Sequence, residues 1–279
     1  MGEFCISYGG LCIQFSSAFP MAVPEELKAF LTRDDVITDR YEIGLSVDVE
    51  ESLGEVLCRR PDMTVYRDAE GITQVYNGYG NPICRIRKNG FHSLRVSRSL
   101  AETMADGSRL AGILNMEEIL LRHEGILLHS SVVCHEGRAV LFSGPCGIGK
   151  STQAELWHRV FGDKIINGDR AVIRRTEAGF YAGGSPWSGS SKIYCKDFIP
   201  LEGIVLLRQG KENTMTPADG RTAFREIYSQ CLVHSWDRAY VDRVCGLIAD
   251  LMGKVRVYTL TCVPEPSAAT IAEGILFPK

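Results

Sequence analysis

From Gly144 the chain reads Gly-Pro-Cys-Gly-Ile-Gly149-Lys150-Ser151, with Thr152 next. Gly144, four residues, then Gly149-Lys150-Ser151 matches the phosphate-cradling spacing Gly-x4-Gly-Lys-[Ser/Thr]. A chain of this length meets that pattern by chance roughly once in a hundred. Gly147 and Gly149 allow the backbone to bend so that successive N–H groups point into one concavity. The nucleotide contacts expected from this loop are Gly144, Cys146, Gly147, Ile148, Gly149, Lys150, Ser151 and Thr152. Lys150 is expected to reach the β- and γ-phosphates, and the Ser151 hydroxyl to ligate Mg²⁺. Cys146 stands among these N–H dipoles and near Lys150, a setting that favours a thiolate. The alternative for Cys146 is a small, inert, buried thiol.

A triphosphate site also needs a carboxylate for the metal. Asp169 is the best placed: it follows the apolar pair Ile165-Ile166 and has Gly168 before it. Aspartate is common in turns for its own hydrogen bonding, and only the nearby phosphate loop raises the metal role above that reading. His129 sits in Leu127-Leu128-His129-Ser130-Ser131-Val132-Val133. A lone histidine in an apolar strand is usually a hydrogen-bonded core residue; beside an acceptor hydroxyl it can serve as base or charge. A third group lies in Gly183–Ser191, rich in glycine and serine and too small-sided for a core element. There we expect acceptor contacts from Ser185 and Trp187, with Lys192 at the edge. The glycines there would let an extended substrate backbone come close.

The elements needed to hold these groups can be read from hydrophobic pattern. Ala139–Phe142 is a continuous apolar run, as in a strand buried on both faces. From Lys150 no breaker occurs before Gly162, so a helix follows the loop. Ile126–Val133 predicts a strand ahead of it, and Lys164–Ile173 a strand, a turn and another strand. Gly203–Leu207 predicts a buried strand, 220–233 and 238–252 two helices, Val255–Thr261 a strand and Glu265–Ile275 a last helix. Strands alternate with helices but some are adjacent, which implies a mixed α/β sheet.

The first hundred residues read differently. Short strands are expected around Gly9-Gly10 and at Tyr41–Val49. An antiparallel meander follows at Met63–Arg67, Ile72–Asn77, Ile83–Lys88 and Leu94–Ser97, punctuated by Gly71, Gly78 and Asn89-Gly90. No constellation there carries chemistry, so a mainly β packing or partner-binding region is expected. Leu100–Arg122 has helical period and holds the boundary, giving residues 1–105 and 106–279 as the two regions.

The composition is that of a globular chain: 279 residues, 45% hydrophobic, 23% charged, net charge −3. No overall basic surface suggests nucleic acid. Arg85, Arg87, Lys88, Arg95 and Arg98 cluster and are read as a solvated sheet face, with a partner surface as the alternative. No apolar stretch is long enough to cross a membrane, and no secretion signal is visible. The ten cysteines include no Cys-x-x-Cys and no zinc spacing with histidine, so reduced thiols of a cytoplasmic protein are expected.

Taken together, Leu127–Val133, Gly144–Thr152 and Ile166-Asn-Gly-Asp-Arg-Ala-Val172 resemble the catalytic domain of HPr kinase/phosphorylase. They are closer still to the HPr-kinase-related proteins, some of which phosphorylate ribosomally made peptides. The core is also similar to ATP-dependent phosphoenolpyruvate carboxykinase. The resemblance covers roughly Ile126–Ile275. It implies a P-loop kinase domain, ATP, Mg²⁺ and transfer to a serine hydroxyl. It gives Lys150 and Ser151 phosphate and metal contacts, Asp169 the family's acidic position and His129 its strand histidine. It implies a homo-oligomer as well. Two departures stand out. HPr kinases carry paired aspartates where this chain has Gly168-Asp169, and their later signature segment, with its glutamate, is not evident. Phosphorylase activity and HPr itself are therefore poor expectations.

The expected function is an ATP- and Mg²⁺-dependent kinase acting on a serine of a peptide or small protein. The rivals are a metabolite kinase and a nucleotide-sensing module without transferase activity.

Overall fold

Apolar alternation in the first hundred residues builds one large sheet. The computed structural model describes residues 2–34, 36–46, 53–78, 80–103 and 112–278. Among the described residues, nine strands are involved: β1 (Gly2–Tyr8), β2 (Leu11–Ser17), β3 (Leu31–Thr32), β4 (Asp39–Leu45), β5 (Glu55–Arg59), β6 (Met63–Arg67), β7 (Gly71–Tyr76), β8 (Ile83–Arg87) and β9 (Phe91–Val96). Their order is β3-β1-β2-β4-β9-β8-β7-β6-β5. The run β5 to β9 is an antiparallel meander, but β4 lies parallel to both β2 and β9. Period-two alternation decides the faces. Cys84, Ile86, His92, Leu94 and Val96 are buried, while Arg85, Arg87, Ser93 and Arg95 between them point the other way. Phe15 stacks on Phe4 at 5.0 Å and on Tyr41 at 5.5 Å. Of the arginine cluster, Arg87 pairs with Asp68 at 3.0 Å and Arg95 with Glu42 at 2.8 Å.

Helix α1 (Glu25–Lys28) follows β2, and α2 (Arg98–Thr103) follows β9. The helical period over Leu100–Arg122 yields α2 and a separate α3 (Met116–Arg122), with Asn115 at φ 50° just before the second. The chain divides into two compact units, Met1–Ile119 and Leu120–Lys279. The boundary expected between 105 and 106 lies outside the described residues.

The second unit is a mixed α/β structure. Its strands are β10 (Gly125–His135), β11 (Arg138–Ser143), β12 (Lys164–Asn167), β13 (Arg170–Thr176), β14 (Gly179–Gly183), β15 (Phe198–Gln209), β16 (Thr214–Pro217) and β17 (Arg256–Cys262). Its helices are α4 (Lys150–Phe161), α5 (Gly220–Gln230), α6 (Arg238–Lys254) and α7 (Pro266–Leu276). Two long strands each serve several neighbours. In β10, Gly125–His129 pair with β13, and Ser130–His135 pair with β11. In β15, Phe198–Pro200 pair with β14, and the stretch beyond lies parallel to β11 and β17. The pairings β10–β13–β14–β15–β11–β10 therefore close a ring. β15 is longer than its Gly203–Leu207 apolar centre predicted, because Phe198–Pro200 pair with β14 and Arg208 and Gln209 still pair with β17. β14 ends at Gly183, where the glycine- and serine-rich stretch begins.

The continuous apolar runs are buried on both faces, for a visible reason. Ala139 and Leu141 join one core with α5 and α6, through Ala223, Ile227, Val244 and Leu251. Val140 and Phe142 join the other with α4 and α7, through Ala154, Trp157, Ala269 and Leu276. Burying each of Val140, Leu141 and Phe142 stabilises the unit by about 1.5–3 kcal/mol. The strand is thereby a fixed rail for the loop at its end. Among the described residues, no helix is long and apolar enough to cross a membrane.

Candidate active site

Ser143 ends β11, and the chain then turns through Gly144 at φ 146°, Gly147 at 76° and Gly149 at 113°. These values lie where a Cβ would be strained, so the glycines are what the turn requires. Helix α4 starts at Lys150 and runs to Phe161, where Gly162 at φ 77° caps it. Its first N–H groups open onto the turn with the positive end of the helix dipole. The Ile148 side chain packs down against the α4 core, so only its backbone is available to a ligand. Pro145, Cys146 and Gly147 form an exposed rim, and Ser151 and Thr152 are exposed on the first turn of α4. Cys146 is thus open to solvent rather than buried. Lys150 is buried, and its Nζ donates to the carbonyl oxygens of Gly144 and Pro145, both at 3.0 Å. Burial lowers its pKa; the nearby Cys146 and Asp169 push it back up.

Strand pairing brings the other two groups to this loop. His129 is the residue of β10 opposite Arg170 of β13. Asp169 precedes β13, and its carbonyl accepts the Ser130 N–H at 2.9 Å. The His129 Nε2 stands 3.3 Å from Asp169 Oδ1, with their side chains 34% and 27% exposed. His129 is therefore not a core histidine: it opens to solvent on the side facing Asp169. Burial lowers its pKa first, and the charge of Lys150 lowers it further; Asp169 and the Gln230 amide oxygen, as an acceptor for the ring N–H, act the other way. The Ser131 and Ser151 hydroxyls both donate to the Gly168 carbonyl, at 3.2 and 3.4 Å. That contact sets the Ser151 oxygen beside the backbone of Asp169.

A residue not singled out from sequence holds this turn together. Asn167 is fully buried. Its Oδ1 accepts the N–H groups of Asp169 and Arg170, both at 2.8 Å, and its Nδ2 donates to the carbonyls of Ser185 and Trp187 at 2.9 and 3.1 Å. One side chain thus fixes the Asp169 turn and the following loop against each other. A Cβ on Gly189 would come within 3.0 Å of the Asp169 carboxyl carbon. The segment expected near Asp169 does lie against it, but the roles within it differ from the sequence reading. Gly183, Gly184, Ser185 and Pro186 are buried rather than displayed. The two glycines admit the chain's own backbone at Asp197 and Cys195, not an outside one. The Ser185 hydroxyl donates to the Arg170 carbonyl at 2.7 Å and is fully buried, so Ser185 anchors the loop and cannot touch an acceptor. Trp187 is half-buried, and Lys192 is exposed at φ 53° beside the short helical turn Gly189–Ser191.

On the other side of Asp169 is a cleft of about 220 Å³. Its walls carry His129, Asp169 and Arg170 from the strands, and Ser229 and Gln230 from the end of α5. The segment after α5 is tied to β10 by the Leu232 N–H on the Leu127 carbonyl at 3.0 Å and by the Leu128–Cys231 bridge. Arg170 and Gln230 were missed in the sequence. Arg170 was legible as the neighbour of Asp169, but Gln230 lies about sixty residues further on and only the fold brings it in.

The donor set can be tested against Mg²⁺. Among the described residues, no three His, Cys, Asp or Glu side chains converge as a self-sufficient metal site. Mg²⁺ does not need one: it keeps several waters and takes one or two protein oxygens together with substrate phosphates. Ser151, whose hydroxyl reaches the Gly168 carbonyl, and the next residue, Asp169, fit that habit as the two protein ligands. The chain matches no known protein-family model and no curated protein sequence.

Proposed function

We propose that the second unit is an ATP- and Mg²⁺-dependent P-loop kinase domain, similar to those of HPr kinase and the carboxykinases, acting on a serine hydroxyl of a peptide or small protein. The observation that carries this reading is the convergence of Lys150, Asp169 and His129 from three separate segments, close enough for the Lys150 charge to act on both others. The glycine turn and the α4 N-terminus supply N–H groups for the phosphates. Lys150 supplies the positive charge against the transferred phosphoryl group, and its two carbonyl contacts aim it along the turn. Ser151 and Asp169 would hold Mg²⁺, which when bound neutralises charge developing on the phosphate oxygens. His129, kept neutral by burial and by Lys150, can accept the proton of the acceptor hydroxyl. It takes over the task that a second aspartate has in HPr kinases, where this chain has Gly168.

A free hydroxy acid as acceptor is the second reading. It is favoured by the cleft beside Asp169, which at about 220 Å³ is smaller than most small-molecule pockets. Equilibrium binding of a fluorescent ATP analogue tests the nucleotide half of the proposal. The expected result is Mg²⁺-dependent binding by the natural chain and its loss in Lys150→Ala. Equal binding by both proteins would refute the assignment of the glycine turn.

A further inference from the structure

The cleft on the far side of Asp169 contains a cation whose donors the protein leaves largely unspent. The Arg170 Nε stands 3.7 Å from Asp169 Oδ2, beyond hydrogen-bond range, and this is the only ion pair described for it. Its side chain is 39% exposed and lines the cleft. A guanidinium presents five N–H donors in a planar fork that matches a carboxylate bidentately. The backbone around it is fixed: Asn167 Oδ1 accepts the Arg170 N–H, and the Ser185 hydroxyl donates to the Arg170 carbonyl. The fork is therefore held on a rigid base beside the His129–Asp169 pair. Opposite it, Gln230 lines the cleft with His129, and its amide donates to the Ser229 hydroxyl at 3.3 Å to complete the polar wall. The cleft is large enough for one hydroxyl-bearing residue and a neighbouring group, not for a nucleotide.

We propose that this cleft, and not the Gly183–Ser191 loop, seats the reacting group of the acceptor, and that Arg170 selects acceptors whose hydroxyl lies next to a carboxylate. The proposal rests on the kinase reading above and sharpens it to a substrate class. If Asp169 is occupied by a divalent cation, its carboxylate no longer screens Arg170, and the preference for an anion grows. Gln230 and Ser229 then orient the backbone or amide of the acceptor, and the hydroxyl points to His129.

The test uses four probes: acetyl-Ser-Asp-amide against acetyl-Ser-Asn-amide, and L-serine against L-serinamide. Each is measured for binding by saturation-transfer NMR with ADP and Mg²⁺ present, and for phosphorylation with ATP. The natural chain should favour the carboxylate member of at least one pair by tenfold or more. Arg170→Gln should erase that preference, weakening the acidic probe while leaving its neutral partner and the ADP affinity unchanged. Arg170→Lys, which keeps charge but not the fork, should retain a reduced preference and covers the case in which Arg170→Gln fails to fold. A preference in the peptide pair assigns a peptide acceptor; one in the serine pair assigns a free hydroxy acid. Carboxylate binding that depends on Arg170 without any transfer would keep the cleft assignment and defeat the kinase reading. No preference in the natural chain, or one that survives Arg170→Gln, overturns the proposal.

Discussion

Strand β10 carries two histidines six residues apart, and each faces an aspartate. His135 lies near the buried end, its Nδ1 on the Asp163 carboxylate at 3.0 and 2.8 Å. Trp157, Phe161 and Phe277 surround it with ring centroids 5.3, 5.2 and 4.7 Å away. Asp163 itself is buried, and burial raises its pKa while the His135 hydrogen bond opposes that. His129 stands at the other end, 3.3 Å from Asp169, with a cleft on one side and the Lys150 turn nearby. The histidines of one strand thus form, with aspartates from elsewhere, a closed pair and an open one. The closed pair spends its bonds on itself and on the packing of α4 and α7. The open pair leaves bonding capacity facing solvent, where a substrate can use it. Pairing alone does not separate the two; exposure and the third charge do.

The comparison can be broken most severely at Lys150. Lys150→Ala removes the charge that bears on the open pair and not on the closed one. Loss of one such electrostatic contact is worth about 10²–10³ in turnover. Turnover near the natural rate in this variant would separate the glycine turn from the chemistry.

The two histidines offer the next largest contrast. His129→Ala should lower turnover by about 10²–10⁴ with nucleotide affinity and melting temperature nearly unchanged. His135→Ala should do the reverse: it leaves a buried carboxylate unpaired and costs about 3–5 kcal/mol of stability, while the fraction still folded keeps its turnover. Calorimetry beside steady-state kinetics reads both, and a His129→Ala chain that unfolds instead would make the open pair structural as well.

Trp187→Ala probes the rim beyond Asp169. Its carbonyl holds Asn167, but its side chain is only half-buried. If the cleft rather than this loop seats the acceptor, the apparent KM for acceptor should rise by no more than about threefold, about 0.7 kcal/mol. A tenfold rise would return acceptor binding to the loop.

The smallest effect is in the pH dependence of stability. The folded-state pKa of His129 is depressed, by burial first and Lys150 second, so the unfolded chain binds the proton more readily. Stability is therefore present above the unfolded value of about 6.5 and is lost as pH falls below it toward the folded pKa. Thermal melts between pH 7.5 and 5.5 should show a shallower decline in His129→Ala than in the natural chain, the difference being modest because the ring is partly solvated.

Much of this arrangement was legible in the residues. The glycine spacing, the doubly buried Ala139–Phe142 run and the helix up to Gly162 follow from local rules, and those rules hold because both faces of β11 meet helices. The approach of Gly183–Ser191 to Asp169 was legible too, since a single hairpin separates them. What failed was the display of Ser185 and of the two glycines inside that loop. Glycine and serine look displayed in a sequence, but Gly183, Gly184 and Ser185 are small because the chain's own backbone crowds them. Asn167 was hidden as an ordinary turn residue, although its four hydrogen bonds join both halves of the site. Gln230 left no trace, because a helix end reaches β10 only through tertiary pairing. In the first unit, β5 was missed: Glu55–Arg59 is mostly polar or exposed, as an edge strand with one neighbour can be.

The central claim is that the open pair and the glycine turn transfer phosphate. The most direct measurement is the fate of the γ-label of ATP, with Mg²⁺ and serine-containing peptides or hydroxy acids, in the natural chain and in Asp169→Asn. The account predicts label on the acceptor hydroxyl with the natural chain and a loss of two or more orders of magnitude in the variant. Label transferred equally by Asp169→Asn, or no transfer to any hydroxyl by a natural chain saturated with ATP, would contradict it.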